Sequence, residues 1–431
     1  MLRSQRTDLA PAEGAGVSLR VVVAWLVAVL VFTVPIEELF MIPGIGTSTR
    51  LVGLVTMPLA LLALLDRGHV RIRVPTLFLL ASAAFVMWNI GSFFWSRFPS
   101  STLSVGSTFV QLFALVWLVT EFCRGHAALD RLMQAFVLGN YAALSIAVVL
   151  LLQGTGVARD TGRDPNEFAT VMAWAIPMAA WLVARRRSGP LYLVNLAYPV
   201  FALLGLFMSA SRGGLLVALV AFLAVPFMIL GLSLVKRAAL VVFLSGAFVV
   251  AFGVVPQAFP ELQSNIERLG TTGEELAEGT LTGRTVIWGE AVNIIRSSPV
   301  VGVGAGAARP LYAETFLGMQ RVAHNVFLQI ATETGLVGVL LFLAMVVTAG
   351  VRLADMDRAY RPFALILLAA VIVGMGPLSI EMKKFTWFAL VLLANQAPIM
   401  VAVGRPRWSR VVATIERTPA GMPRGSQGVS R

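Results

Sequence analysis

Residues 326–349 read VFLQIATETGLVGVLLFLAMVVTA: 24 residues with one charged side chain, Glu333, and one amide, Gln329. About 20 consecutive apolar residues suffice for a helix to cross the hydrocarbon core of a bilayer. The stretch therefore predicts a membrane-spanning helix that carries a carboxyl group inside it. Windows of the same kind recur at 20–36, 49–65, 75–95, 102–120, 129–152, 167–184, 190–208, 213–232, 237–257, 363–380 and 386–403. With 326–349 they make twelve. The window 49–65 is the weakest, because Arg50 and Pro58 interrupt it.

The composition agrees. The chain has 431 residues, 58% apolar and 13% charged, where a soluble domain carries about 25% charged residues. Low charge density and high hydrophobicity also exclude a disordered chain. The net charge of +12 is spread thinly between apolar runs, so no nucleic-acid partner is expected. Cys123 is the sole cysteine, which excludes an intrachain disulfide and a multi-cysteine metal site. The expected fold class is an all-α polytopic membrane protein of about twelve transmembrane helices with one long extracytoplasmic loop.

Lys and Arg concentrate in cytoplasmic loops. Placing both termini in the cytoplasm puts 22 of the 34 basic residues on that side. The expected organisation is a cytoplasmic segment 1–19, helices one to nine over 20–257, an extracytoplasmic loop 258–325 with short helices, helices ten to twelve over 326–403, and a disordered basic cytoplasmic tail 404–431. The tail suits anionic lipid heads. The first helix reads as retained, since Glu37-Glu38 stands where a signal peptide would have small residues.

A loop as long as 258–325 is usually functional. Within it Thr282–Arg296 predicts a helix whose face carries Arg284, Trp288, Ala291 and Ile295, stopped by Pro299. Gly302-Val303-Gly304-Ala305-Gly306 is too glycine-rich for a helix and has the wrong spacing for a dinucleotide fingerprint. Close backbone approach to a neighbour or ligand is the reading. His69 and His126 fall in basic cytoplasmic loops, and His324 is the one histidine on the outer side, either a helix-end residue or a catalytic one. Arg212 lies in the short Ser211-Arg212-Gly213-Gly214 turn, where it either snorkels to the interface or offers an anion a helix N-terminus. Arg159 and Arg163 precede Asp164-Pro165-Asn166-Glu167, in which Asp164 or Asn166 is a plausible N-cap.

Arginine is the preferred partner of phosphate, and a neutral imidazole suits removal of a proton from a sugar hydroxyl. Convergence of Arg159, Arg163, Arg212, Arg284 and His324 would form a lipid-phosphate site beside a general base. Glu333 and Gln329, one to two turns below His324, either orient that helix end or contact the acceptor, or else pack against a polar neighbour. Asp355-Met356-Asp357 imitates a metal-binding DxD motif but reads as solvated charge in a cytoplasmic turn.

The ordered pieces Asp164-Pro165-Asn166-Glu167-Phe168-Ala169, Ser211-Arg212-Gly213-Gly214, Gly283-Arg284, Trp288, Pro299-Val300-Val301-Gly302-Val303-Gly304, His324-Asn325-Val326-Phe327-Leu328-Gln329 and Glu333-Thr334-Gly335-Leu336-Val337-Gly338 resemble the O-antigen ligase and O-antigen polymerase (Wzy-type) family of bacterial membrane glycosyltransferases. The resemblance covers about 159–345. It implies a lipid-linked glycosyltransferase (GT-C-like) fold in the bacterial inner membrane. It also implies an undecaprenyl-diphosphate glycan donor, a glycan or lipid acceptor, and metal-independent transfer without a cofactor. Carried over, Arg212 and Arg284 hold the donor diphosphate and His324 activates or orients the acceptor hydroxyl. Arg159, Arg163, Asn166, Glu167, Ser211, Trp288, Asn325, Gln329 and Glu333 become substrate-binding candidates. Ligase and polymerase are not separated by these residues. A small-anion transporter, for instance of bicarbonate, is the competing class. It would want midplane charges and internal repeats, whereas the charges here collect at the outer surface. A flippase would want a cation-lined path through the bundle.

Overall fold

The computed structural model describes residues 18–395 except 38–39, 45, 66–75, 154–163, 187, 229–232, 259–283, 317, 320, 354–355 and 357–359. The architecture is all-α. Helices α1 (Leu19–Thr33), α2 (Ser48–Leu65), α3 (Leu77–Gly91), α4 (Pro99–Phe122), α5 (His126–Leu152), α6 (Pro165–Arg185) and α7 (Pro190–Ser209) follow one another along the chain. They continue with α8 (Arg212–Met228), α9 (Leu234–Ala258), α10 (Arg284–Ser297), α11 (Ala308–Thr315), α12 (Val326–Gly350), α13 (Arg361–Met375) and α14 (Lys384–Ala394). A two-residue antiparallel pair, Met41–Ile42 with Gly46–Thr47, joins α1 to α2.

Among the described residues eight helices are long and apolar enough to cross a membrane: α1 with the short turn after it, α2 to α7, and α12. α8, α13 and α14 are shorter apolar helices, and α9 runs for 25 residues. Every one of the twelve apolar windows thus contains a helix, and the chain is a multi-pass membrane protein. The eleventh window is longer than its helix. Residues 376–380 are apolar but not helical, because Pro377 lacks the N–H that would continue α13. Leu378 and Ile380 pack into the core instead.

Two helices form the axis of the bundle. α6 buries 78% of its span, and all of α14 from Phe385 to Ala394 is buried. Both are apolar all round, as a helix enclosed by other helices must be. Small residues bring the helices together, the usual device where lipid and side chains are equally apolar. A Cβ at Gly214 of α8 would collide with Ala169 of α6, and one at Gly139 of α5 with the Phe32 carbonyl of α1. Some polar groups inside the bundle pair across helices. Gln134 and Asn195 exchange amide hydrogen bonds at 2.8 and 3.2 Å. The Trp174 indole donates to the Ala370 carbonyl at 3.2 Å.

α10 and α11 lie beside the bundle with an apolar cluster of their own, Ile287, Ala291 and Ile294 against Val303, Ala307, Ala308, Leu311 and Tyr312. The buried ridge of α10 is therefore Ile287, Ala291 and Ile294. Arg284, Trp288, Ala291 and Ile295 share one face of this helix by their spacing, and Ala291 also belongs to the buried ridge.

α12 is broken at Gly335, whose backbone is at φ 66 and ψ −166. The glycine-rich segment after α10 repairs the break. Val303 and Gly304 donate to the Thr332 and Glu333 carbonyls at 3.1 and 2.8 Å, and Leu336 and Val337 donate to the Pro299 and Val300 carbonyls at 2.9 and 3.2 Å. The Trp88 indole takes the Thr334 carbonyl at 3.0 Å. The segment also reaches the α3–α4 connection, where Arg97 donates to Val303 at 3.1 Å and Thr102 to the Ala305 carbonyl at 2.8 Å. Gly302, Gly304 and Gly306 all have positive φ. The expected close backbone approach is therefore present, with the neighbour being protein backbone.

Gly335→Ala combines positive φ with a Cβ forced against the Val300 carbonyl. It is expected to destabilise by roughly 2–3 kcal/mol, read as a fall of several degrees in Tm in detergent. Gly289→Ala, in open space on α10, should leave Tm unchanged or raise it.

Candidate functional site

The site is assembled from four connections at one end of the bundle. At the start of α6, Asp164 is the N-cap, accepting from the Asn166 backbone at 2.8 Å and from its side-chain amide at 3.0 Å. Asn166 in turn accepts from the Ser211 hydroxyl at 2.8 Å, and Ser211 caps α8 by accepting from Gly214 N at 2.9 Å. This chain of bonds ties the α6 start to the α7–α8 turn. That turn is possible because Ala210 takes the left-handed conformation at φ 49 and Ser211 closes the next helix. Arg212 is consequently the first residue of α8.

The third connection is the start of α10. Arg284, its first residue, interacts electrostatically with both Asp164 and Arg212. Burial pulls the guanidinium below its usual range, Asp164 opposes that shift, and Arg212 adds to it. The fourth is the residue before α12. His324 has φ 49, a left-handed conformation rare outside glycine. Both of its neighbours are pinned. The Trp288 indole donates to the Ala323 carbonyl at 2.8 Å, and Ala323 N donates to the Gln329 side chain at 3.1 Å. Asn325 caps α12 by accepting from Leu328 N at 3.0 Å. A strained residue held by its flanks is typical of functional positions.

His324 interacts with Arg284 and Asp164, and also with Arg309 and Arg321. Burial lowers its pKa below 6.5, Arg284 lowers it further, Asp164 opposes, and Arg321 and Arg309 add smaller downward effects. The imidazole is therefore neutral at pH 7. The native value lies below that of the unfolded chain, so this residue's contribution to stability is present above about pH 6.5 and is lost as pH falls through the native pKa.

Arg212, Arg284 and His324 thus share one site. Arg159 and Arg163 lie outside the described residues. Glu167 forms an ion pair with Lys383 at 2.6 Å. Asn166, Ser211, Trp288 and Asn325 spend their polar atoms on capping and bracing. Gln329 donates to Glu333 at 2.6 Å, and the buried Glu333 carboxyl also receives the Gly306 and Ala308 backbone N–H groups. Lys383, Arg309 and Arg321 join the site neighbourhood although nothing in their local sequence marks them. Arg309 and Arg321 had a signal only in being basic residues of the long loop.

The fold and this cluster of basic side chains around a buried histidine define a class: a multi-pass helical protein with a cationic cluster at one end of its bundle. Residues 197–343 match the family model described as O-antigen ligase. The chain is also similar to the exopolysaccharide production protein ExoQ of Rhizobium meliloti (strain 1021), with 36% identity over 91 residues. That match covers 19% of this chain and 20% of the length of ExoQ.

Reaction of His324 with diethyl pyrocarbonate, in a His69→Gln/His126→Gln background, is expected to titrate with a midpoint below pH 6.5. Arg284→Gln should move that midpoint upward, because it removes a cation beside the imidazole. An unchanged midpoint would separate the two side chains.

Proposed function

We propose that the protein is an O-antigen ligase-like glycosyltransferase of surface-polysaccharide synthesis. It moves a glycan from undecaprenyl diphosphate to an acceptor hydroxyl at the outer face of the inner membrane. The observation that carries the reading is the shared site of Arg212, Arg284 and a histidine kept neutral by burial. A diphosphate leaving group accumulates negative charge as the glycosidic carbon departs. Two guanidiniums, held in place by the cap chain from Asp164 to Gly214, stabilise that charge by electrostatic preorganisation. Arg284 is partly desolvated, which strengthens the interaction.

His324 takes the proton of the acceptor hydroxyl as that oxygen attacks the anomeric carbon from the face opposite the diphosphate, so the configuration inverts. The bond from the anomeric carbon to the phosphate oxygen breaks, and undecaprenyl diphosphate leaves with its electron pair. The energy of transfer is already stored in the donor, so neither nucleotide nor metal is required. The basic-residue bias that places both termini in the cytoplasm puts the site on the extracytoplasmic side, where lipid-linked glycans are presented. The twelve-helix organisation, with 258–325 as the extracytoplasmic segment and 404–431 as a cytoplasmic tail, belongs to the same reading. The similarity to ExoQ favours an exopolysaccharide as one product class, with a Wzy-type polymerase as the second form of the activity.

Arg212→Ala, Arg284→Ala and His324→Ala should each lower transfer by about 100-fold or more while the protein stays in the membrane. The assay uses purified protein, an undecaprenyl-diphosphate glycan and two acceptors, a host surface glycan and the lipid-linked repeat itself. A single glycan joined to the first acceptor marks a ligase, and a ladder on the lipid marks a polymerase. Wild-type rates in all three variants would remove the site assignment. EDTA should leave the rate intact, and loss restored by Mg²⁺ or Mn²⁺ would overturn the metal-free mechanism.

A further inference from the structure

At the end of the bundle opposite the site, α1, α5 and α7 begin and α6 finishes. α1 and α7 both pack on α5, and between the three lies a cleft of about 820 Å³. Its lining residues on α5 run from Ala127 to Leu138, about 16 Å at the rise of an α-helix. That is roughly the depth of one leaflet of the hydrocarbon core. The deeper wall is apolar, with Ala28 of α1 and Ala135 and Leu138 of α5. The cleft lies beside an outward face of α1, along which Val21, Trp25 and Val29 are all exposed.

The mouth differs chemically from that wall, and its polar groups divide into used and unused. Asp130 accepts from the Trp181 indole at 2.8 Å and from Arg185 at 3.4 Å. Gln134 is spent on Asn195. Arg131 and Arg186 also line the cleft. Among the described residues neither has a carboxylate within ion-pair distance. Arg131 lies instead over the Trp25 ring, 4.6 Å from its centre. That contact holds the guanidinium at the depth where tryptophan marks a membrane surface. Since Arg185 already matches the charge of Asp130, the two lining arginines are uncompensated. α5 and α7 add to the positive potential, because each starts behind a glycine that makes no side-chain cap.

We propose that this cleft binds an anionic phospholipid, with its phosphate on Arg131 and Arg186 and the start of one acyl chain along Ala28, Ala135 and Leu138. Guanidinium groups match phosphate in shape and charge, and a basic pocket between membrane helices suits an acidic head group. A free phosphate ion would use the mouth and leave the apolar wall bare. A zwitterionic lipid would bring an ammonium group to two uncompensated arginines. The bound lipid bridges α1 and α7 across α5. The cleft lies at the far end from Arg212, Arg284 and His324, so the inference does not rest on the transfer reading. The basic-residue bias places this end in the cytoplasm, where the leaflet is rich in acidic lipid.

The test adds dioleoylphosphatidylglycerol, dioleoylphosphatidylethanolamine or inorganic phosphate to the full chain, delipidated in detergent. Phosphatidylglycerol should raise Tm by a few degrees, and the other two should leave it unchanged. Arg131→Gln and Arg186→Gln should each weaken phosphatidylglycerol binding about tenfold, read from the lipid concentration that gives half the shift. Leu138→Trp, which fills the apolar wall, should weaken it with both arginines in place. Lys236→Gln removes an exposed cation of α9 outside the cleft and should bind as wild type does. If Arg131→Gln does not fold, Arg186→Gln decides the question, since Arg186 is exposed beyond the end of α6. An equal shift with phosphatidylethanolamine or with phosphate would overturn the proposal. So would wild-type affinity in the arginine variants, or an equal loss in Lys236→Gln.

Discussion

The structure depends on an exchange of backbone hydrogen bonds between the broken helix α12 and the segment 299–306. A spanning helix that stops being helical at Gly335 frees carbonyl and N–H groups in a place without water, and each unpaired group there costs several kcal/mol. Thr332, Glu333 and Thr334 give their carbonyls to Val303, Gly304 and the Trp88 indole, and Leu336 and Val337 take the carbonyls of Pro299 and Val300. Four of these five contacts are backbone to backbone, so the two segments must approach without side chains between them. Glycines at 302 and 335 make that approach possible, and Gly304 lets the same segment lie against Ser96.

Everything at the site follows from that docking. The segment carries α10 on one side and α11 on the other. Its position delivers Arg284 to the Asp164–Arg212 neighbourhood and Trp288 to the backbone beside His324. The Glu333 carboxyl closes the arrangement by receiving the Gly306 and Ala308 backbone N–H groups at the α11 start. A break in a membrane helix is thus linked to the placement of His324, 11 residues upstream of Gly335. The same end of the bundle is held by two ion pairs from adjacent residues, Lys383 with Glu167 and Lys384 with Glu37. Partly buried pairs of this kind position groups more than they stabilise the fold.

Much of the site was legible in the chain. Arg212, Arg284 and His324 stood out because cations and a histidine were gathered where an anionic lipid head would lie. Asn166, Ser211, Trp288 and Asn325 stood out with them, yet their polar atoms serve the scaffold. A local motif does not distinguish a residue that touches a ligand from one that caps the helix carrying such a residue. Lys383 was hidden for the opposite reason. It follows an apolar stretch interrupted by Pro377, and its partner lies on α6, far away in the chain.

The sequence by itself determined the class of protein. Twelve apolar windows and a sparse charge pattern leave few physical alternatives, since hydrocarbon tolerates only backbone that satisfies itself. It also determined where helices could not continue, at Pro299 and in the Gly302–Gly306 run. Tertiary structure alone decided which groups meet: the register of 299–306 against α12, the ridge of α10 that buries Ile287 and Ile294, and the cleft between α1, α5 and α7. Those features depend on contacts between residues far apart in the chain, where shape and hydrogen-bond geometry choose among arrangements that hydrophobicity leaves equal.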